Sequence, residues 1–294
     1  MAKIDNEKEI MALIKLIDDP DDNAYKEIKK NIFLYGTEII PYLEAAWISN
    51  TDTEVQNRIQ NLVHQIQFKN VESQLKQWKE QDGKDLIDGW LIITQYHYPE
   101  LQDEEIKVEL NRIRKDIWLE LNNDLTALEQ VKVFNHIFFD KYGFSGSTDH
   151  YHDPHNFYIK KVLDAKQGNP LSLGLVYMLV AQSLDMPVYG IKLPNHFFLA
   201  YYAKTSAIDD FTEKNDKALF YINAFSKGNV FSHRQAEWFL QQFNLNPRPE
   251  FFELCSNYDI ILRILSSLES SYEKSNQPEK AKEIKSLYDV VIQG

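Results

Sequence analysis

The residues that could carry chemistry lie on three elements in the second half of the chain. A helix is expected to begin at Asn169-Pro170, because Asn169 is a good N-cap and Pro170 suits the first helical position. His196 opens an expected strand, and Asn223 ends a later one. The same order occurs in thiol enzymes, where a helix end lowers a cysteine pKa, a histidine acts as base and a third residue orients the imidazole. The pattern predicts a polar site at the end of this helix.

The helix at Pro170 is expected to form the centre of a domain. It is apolar nearly all round and should run to about Asp185, where Pro187 follows, so other elements must cover every side of it. Ser232 and Gln235 form a capping box for a further helix. Alternating apolar residues predict three strands that pack on the buried helix, over residues 188–193, 196–202 and 219–223.

Helical segments are expected on both sides of this core. Residues 1–70 read as paired helices, in which Asp21, Ala24, Ile28 and Ile32 recur as Asp52, Val55, Ile59 and Val63. Two stacked repeat units or chance matching between amphipathic helices would both give this similarity. The tail over 250–294 divides at a turn before Pro278 and predicts a helical hairpin. We therefore expect three parts, 1–70, 71–245 and 250–294.

Composition excludes several classes of function. The chain has 44 acidic and 32 basic residues, a net charge of −12, without a basic stripe, which argues against binding nucleic acid or anionic lipid. Its N-terminus lacks an apolar signal core, and no apolar run approaches the ~18 residues of a membrane span. The single cysteine, Cys255, allows no intramolecular disulfide and fits a reducing compartment. We expect a cytoplasmic protein that does not enter a membrane.

Longer motifs connect the chain to a known family. These motifs are GNPLSL at 168–173, MPVYGI at 186–191 and LPNHFF at 193–198, with further matches at 142–144, 152–156 and 221–225. The chain resembles the bacterial SirB-type branch of the transglutaminase-like superfamily, specifically over about residues 130–245. The resemblance implies a mainly helical α+β fold whose papain-like core packs a buried helix on a small antiparallel sheet. It also implies a tetratricopeptide-like hairpin at the C-terminal end.

The resemblance also bears on activity. Counting back from Pro187 places Pro170 where active members of the superfamily have their cysteine. His196 matches the superfamily histidine, and Asn223 replaces the usual acid. We therefore expect a regulatory or peptide-binding protein rather than a working transglutaminase. The alternative is a hydrolase or acyltransferase in which Ser172 is the nucleophile, His196 the base and Asn223 the orienting residue. We favour the other interpretation of Ser172, in which its hydroxyl bonds backbone near the helix N-terminus.

A protein or peptide partner is expected, and no cofactor. The candidate ligand-binding residues are the polar side chains of the motifs, namely Asn169, Asn195, Asp153 and Asn156. The loop before the buried helix also carries ligand types that suit Zn²⁺, at His150, His152, Asp153 and His155. We favour a polar loop at the edge of the site, since this segment matches the family motif, and expect no metal. Cys255 is expected to be a small core residue.

Overall fold

The computed structural model describes residues 2–148, 153–194, 196–203 and 218–293. These residues form twelve α-helices and six β-strands. The chain divides into two compact units, Met1–Gln77 and Trp78–Gly294. A mainly helical α+β fold is confirmed. The three-part division predicted from the sequence stays a prediction.

The first unit is helical, with aspartate caps at two equivalent helix starts. Asp21 accepts a hydrogen bond of 2.8 Å from the N–H of Asn23, and Asp52 one of 2.7 Å from the N–H of Glu54. Each cap is followed by apolar residues that enter a shared core, among them Ile28 and Ile59. The similar segments thus have similar local structure. The helices are α1 (Ala2–Lys15), α2 (Asp22–Leu34), α3 (Ile40–Ser49) and α4 (Thr53–Glu80), of which α4 ends in the second unit.

The second unit contains the remaining helices and all the described strands. Its helices are α5 (Leu86–Gln95), α6 (Asp103–Trp118), α7 (Ala127–Asn135), α8 (Ile159–Ala165), α9 (Pro170–Gln182), α10 (His233–Gln242), α11 (Asn257–Lys274) and α12 (Pro278–Gln293). The predicted buried helix is α9, most of whose side chains are buried. It ends at Gln182, earlier than predicted, because Asp185 adopts a left-handed φ of 56° and the N–H of Met186 turns back to the carbonyl of Ala181 at 3.1 Å.

The strands are short and form two sheets. β1 (Ser145–Gly146) and β2 (Gln167–Gly168) make a parallel pair. β3 (Val188–Gly190), β4 (Leu199–Tyr201), β5 (Phe220–Asn223) and β6 (Asn229–Phe231) form an antiparallel sheet in chain order. The turn before β6 requires a glycine at position 228, because its φ is 67°. A Cβ at this position would also lie only 2.2 Å from Asn135 Oδ1. The predicted small antiparallel sheet is present, with one strand that the sequence did not indicate.

The predicted strand over 196–202 is present as β4, but its predicted start at His196 is wrong, since β4 begins only at Leu199. Its partner also stops early, at Gly190 rather than at residue 193. The cause is a change of pairing after β3. The N–H of Lys192 donates to Glu253 O at 3.0 Å, and the N–H of Cys255 donates to Gly190 O at 2.8 Å. Residues 253–255 therefore pair with the edge of β3 that faces away from β4, and the chain before β4 leaves the sheet.

The predicted hairpin is formed by α11 and α12, which pack against each other after the turn at residues 275–277. Hydrogen bonds and an aromatic contact between Tyr96 and Tyr272 connect it to the rest of the second unit. The hydroxyls of Tyr158 and Tyr272 lie 2.7 Å apart, and Tyr96 donates to Glu283 at 2.6 Å. The hairpin is thus part of the same compact unit as the sheet and α9.

Candidate functional site

A cleft of about 550 Å³ opens at the N-terminal end of α9. One wall is the start of that helix, a second is the chain after β3, and a third is a face of α11. The lining residues are Phe157, Asn169, Pro170, Leu171, Lys192, Leu193, Pro194, Phe197, Cys255, Asp259, Arg263, Ser266, Ser267, Ser270, Ser271 and Lys274. The cleft lies at the helix end where the sequence predicts a site, and Pro170 occupies the position expected for a thiol.

The start of α9 is closed by a reciprocal cap. The Asn169 side chain accepts from the N–H of Ser172 at 2.9 Å, and the Ser172 hydroxyl oxygen accepts from the N–H of Asn169 at 3.1 Å. Ser172 is only 1% exposed. The backbone at Gly168 also lies close to this hydroxyl. A Cβ built on Gly168 would be only 2.7 Å from Ser172 Oγ. The hydroxyl therefore fulfils the backbone-bonding role that the sequence left open.

His196 lies beside aromatic rings on α10. Neighbouring side chains of an extended segment point to opposite sides. Phe197 points to α9, where a Cβ on Gly174 would meet its ring at 2.7 Å. The ring of His196 instead lies 4.8 Å from that of Phe239 and 4.5 Å from that of Phe243. Burial lowers the pKa of His196, and the nearby Arg263 lowers it further, so both effects favour the neutral imidazole.

Asn223 caps a short turn rather than contacting His196. Its side-chain oxygen accepts from the N–H of Ser226 at 3.3 Å, and its amide donates to the Ser226 hydroxyl at 3.0 Å. Within the described ranges, no hydrogen bond joins Ser172, His196 or Asn223 to one another. The structure does not bring these three residues together as a bonded group. Their catalytic role stays a prediction.

The predicted ligand-binding residues are distributed unevenly. Asn169 lines the cleft, whereas Asn156 is buried just before the lining residue Phe157. Asp153 caps the turn Pro154–Phe157 and accepts from the N–H of His155 at 2.9 Å. Asn195 lies outside the described residues. Binding by all four stays a prediction.

The histidine-rich loop shows ring packing in its described part. His150 and His152 lie outside the described residues. His155 is 2.6 Å from Asp153 through Nδ1 and packs on His97 at 4.6 Å between ring centroids. Across the chain as far as the structure describes it, no group of three His, Cys, Asp or Glu side chains is arranged to hold a metal ion.

Sequence reasoning missed the contribution of α11 and Cys255. Arg263, Ser266, Ser267 and Ser270 follow the spacing of one helical face, a signal that could have identified a polar wall. Cys255 reaches the cleft through the pairing of residues 253–255 with β3. Burial raises the pKa of its thiol to about 11, so the thiolate that a nucleophile needs is scarce at pH 7.

Two cationic side chains that line the cleft, Arg263 and Lys192, are held by contacts with neighbouring residues. The guanidinium of Arg263 donates to the carbonyl of His196 at 2.5 Å and lies 5.4 Å from the centre of the Phe197 ring. Lys192 is 3.4 Å from Asp259 and 3.8 Å from Glu253. These contacts hold the chain after β3 against α11 and give the cleft its shape.

A buried helix with a capped N-terminus, packed on a small antiparallel sheet, defines a transglutaminase-like core. The family model described as the transglutaminase-like superfamily matches residues 104–266, more than half of the chain, and the chain belongs to this superfamily. Its relatives place it in the SirB-type branch.

Those relatives are bacterial proteins. The chain is 27% identical over 192 residues to a UPF0162 protein of Vibrio cholerae. This match covers 65% of this chain and 67% of the relative. It is 31% identical over 118 residues to a UPF0162 protein of Xylella fastidiosa, 39% of this chain and 41% of that relative. It is 24% identical over 200 residues to SirB1 of Salmonella typhimurium, 67% of this chain and 70% of SirB1. No solved structure matches. None of the described helices is both long and apolar enough to cross a bilayer.

Proposed function

We propose that this chain is a non-catalytic transglutaminase-like protein that binds a peptide or protein segment and acts as a regulatory module. The observation that carries the proposal is the cleft at the start of α9. Pro170 stands at the position expected for the nucleophile and has no reactive group. A cleft of about 550 Å³ is nevertheless present there, and binding sites for ligands of moderate size have similar volumes.

The surroundings of His196 support a binding role. A general base must lie within hydrogen-bond reach of the nucleophile, directly or through one water. The imidazole packs against Phe239 on α10 and against Phe243 just after it, and His196 is not among the residues that line the cleft. An imidazole in such contacts favours a structural role over proton transfer.

The expected setting of the protein belongs to the same proposal. A net charge of −12 argues for a protein or peptide partner over nucleic acid or an anionic membrane. The lone Cys255 fits a reducing compartment such as the cytoplasm.

Blocking the cleft tests the proposal. A displayed library of random peptides is selected on the purified chain, and the selected peptides are measured against Ser270→Trp, which places an indole among the lining residues. Glu279→Trp, at a position that is 82% exposed on α12, is the matched control. We expect binding to be lost in Ser270→Trp and kept in the control. Selected peptides that bind both variants equally, or amide turnover that disappears in His196→Ala, would overturn the proposal.

A further inference from the structure

We propose that the cleft recognises an acidic peptide in extended form, with peptide carboxylates held by the cationic wall of α11 and by Asn169. This inference rests on the proposed function, since it names the ligand class of the same cleft. Its support comes from three features of the lining: its charge, an unsatisfied amide group and the geometry of a polar helix face.

The charge of the lining is opposite to that of the chain. The whole protein carries −12, yet the cleft is lined by Lys192, Arg263 and Lys274 against a single carboxylate, Asp259. Lys192 lies 3.4 Å from Asp259, and three cations against one carboxylate leave the lining with a net charge of +2. A local positive site on an acidic protein attracts acidic segments and repels basic ones.

Asn169 provides the second feature. The residue is 3% exposed, and its amide nitrogen has no hydrogen-bond partner among the described residues. The amide oxygen is already held by the N–H of Ser172, and Asn169 is one of the residues that line the cleft. A buried donor without an acceptor is destabilising, and buried polar groups are normally paired. A carboxylate or carbonyl oxygen of a ligand would supply the missing acceptor.

The polar face of α11 provides the third feature. Arg263 and Lys274 lie near opposite ends of this face, and serine hydroxyls line the cleft between them. At ~1.5 Å per residue the face is about 16 Å long, the length of about five residues of extended peptide. Ser267 and Ser270 are half-buried hydroxyl groups that can pair with a peptide backbone. The wall thus combines a cation near each end with neutral hydrogen-bonding groups between them.

The experiment compares three fluorescein-labelled pentapeptides, each acetylated and amidated, made only of Glu, only of Gln or only of Lys. Anisotropy titrations use the full chain, Lys274→Gln, Asn169→Asp and the control Lys282→Gln. Lys282 is 72% exposed on α12 and undergoes the same charge change away from the cleft. Asp caps helices as well as Asn does, so Asn169→Asp keeps the cap while it removes the donor and adds a negative charge.

We expect the Glu peptide to bind best, with an affinity that falls as salt rises. Lys274→Gln should weaken it about two- to fivefold, and Asn169→Asp at least about tenfold, because bonds to charged groups are the stronger ones. Lys282→Gln should bind as the unmodified chain does. Thermal unfolding of Asn169→Asp checks that the fold is kept.

The failures of the two proposals differ. Equal binding of the Glu and Gln peptides, unaffected by Lys274→Gln and Asn169→Asp, would overturn the acidic preference and leave peptide binding intact. Preferred binding of the Lys peptide would overturn it too. If library selection also yields no peptide sensitive to Ser270→Trp, the proposed function itself fails.

Discussion

His97 should make the second unit less stable as the pH falls from about 6.5 to about 4. Its ring stacks on Tyr158 with centroids 5.2 Å apart and packs on His155. Burial, with His155 and Lys280 nearby, lowers its pKa from 6.5 to about 4. The unfolded chain therefore binds a proton in this window that the folded chain does not, so this contribution is complete above pH 6.5 and is lost as pH falls towards 4.

The size of this effect follows from the two pKa values. The difference between 6.5 and about 4 corresponds to a ceiling of about 3.4 kcal/mol. The ring is only partly buried, so we discount this to about 1–2 kcal/mol, of which about 1 kcal/mol is lost at pH 5. Urea unfolding at pH 7.5, 6 and 5 measures it in the full chain and in His97→Gln.

His97→Gln should lose about 1 kcal/mol less than the unmodified chain between pH 7.5 and pH 5. His136→Gln is the matched control, because the His136 side chain is 63% exposed. It should keep the pH dependence of the unmodified chain. Identical pH profiles for the chain and for His97→Gln would refute the reasoning.

Three further predictions concern the fold and the alternative chemistry. Gly228→Ala should lower the free energy of unfolding by about 2 kcal/mol more than Gly143→Ala, as measured by thermal unfolding. Both glycines have positive φ, but only at Gly228 would the new Cβ meet another atom within 4 Å. Equal losses would contradict the close packing. Tyr158→Phe and Tyr272→Phe should each cost about 1–2 kcal/mol, with a coupling of about 1 kcal/mol in a double-mutant cycle, and simple additivity would argue against the hydroxyl pair. A fluorophosphonate probe should not label the buried Ser172; labelling that Ser172→Ala abolishes would favour the hydrolase alternative.

Local signals predicted the elements of the core well. Asn169 and Pro170 identify the start of α9, and Ser232 with Gln235 identifies that of α10, because a cap is recognised within four residues. The turn before Pro278 identifies the hairpin in the same way. These features depend on neighbours in the chain, so the sequence is sufficient to find them.

Non-local pairing was not predictable in the same way. Residues 253–255 pair with β3 from far along the chain, and the apolar pattern that predicted longer strands contains no signal of this pairing. The polar wall of α11 depends on where the hairpin packs, and a helical pattern does not specify its neighbour. The sequence therefore predicted only the part of the cleft that lies at the start of α9.

The pairing of residues 253–255 with β3 also connects occupancy of the cleft to the mechanics of the C-terminal hairpin. This short segment lies immediately before α11, so the proposed ligand-binding wall is joined to the sheet by the hydrogen bond from the Cys255 N–H to the Gly190 carbonyl. Detachment of the hairpin would break this hydrogen bond and at the same time remove the α11 side of the cleft. A bound ligand should accordingly slow hydrogen exchange at the Cys255 amide, and a partner that pulled the hairpin away would release the ligand.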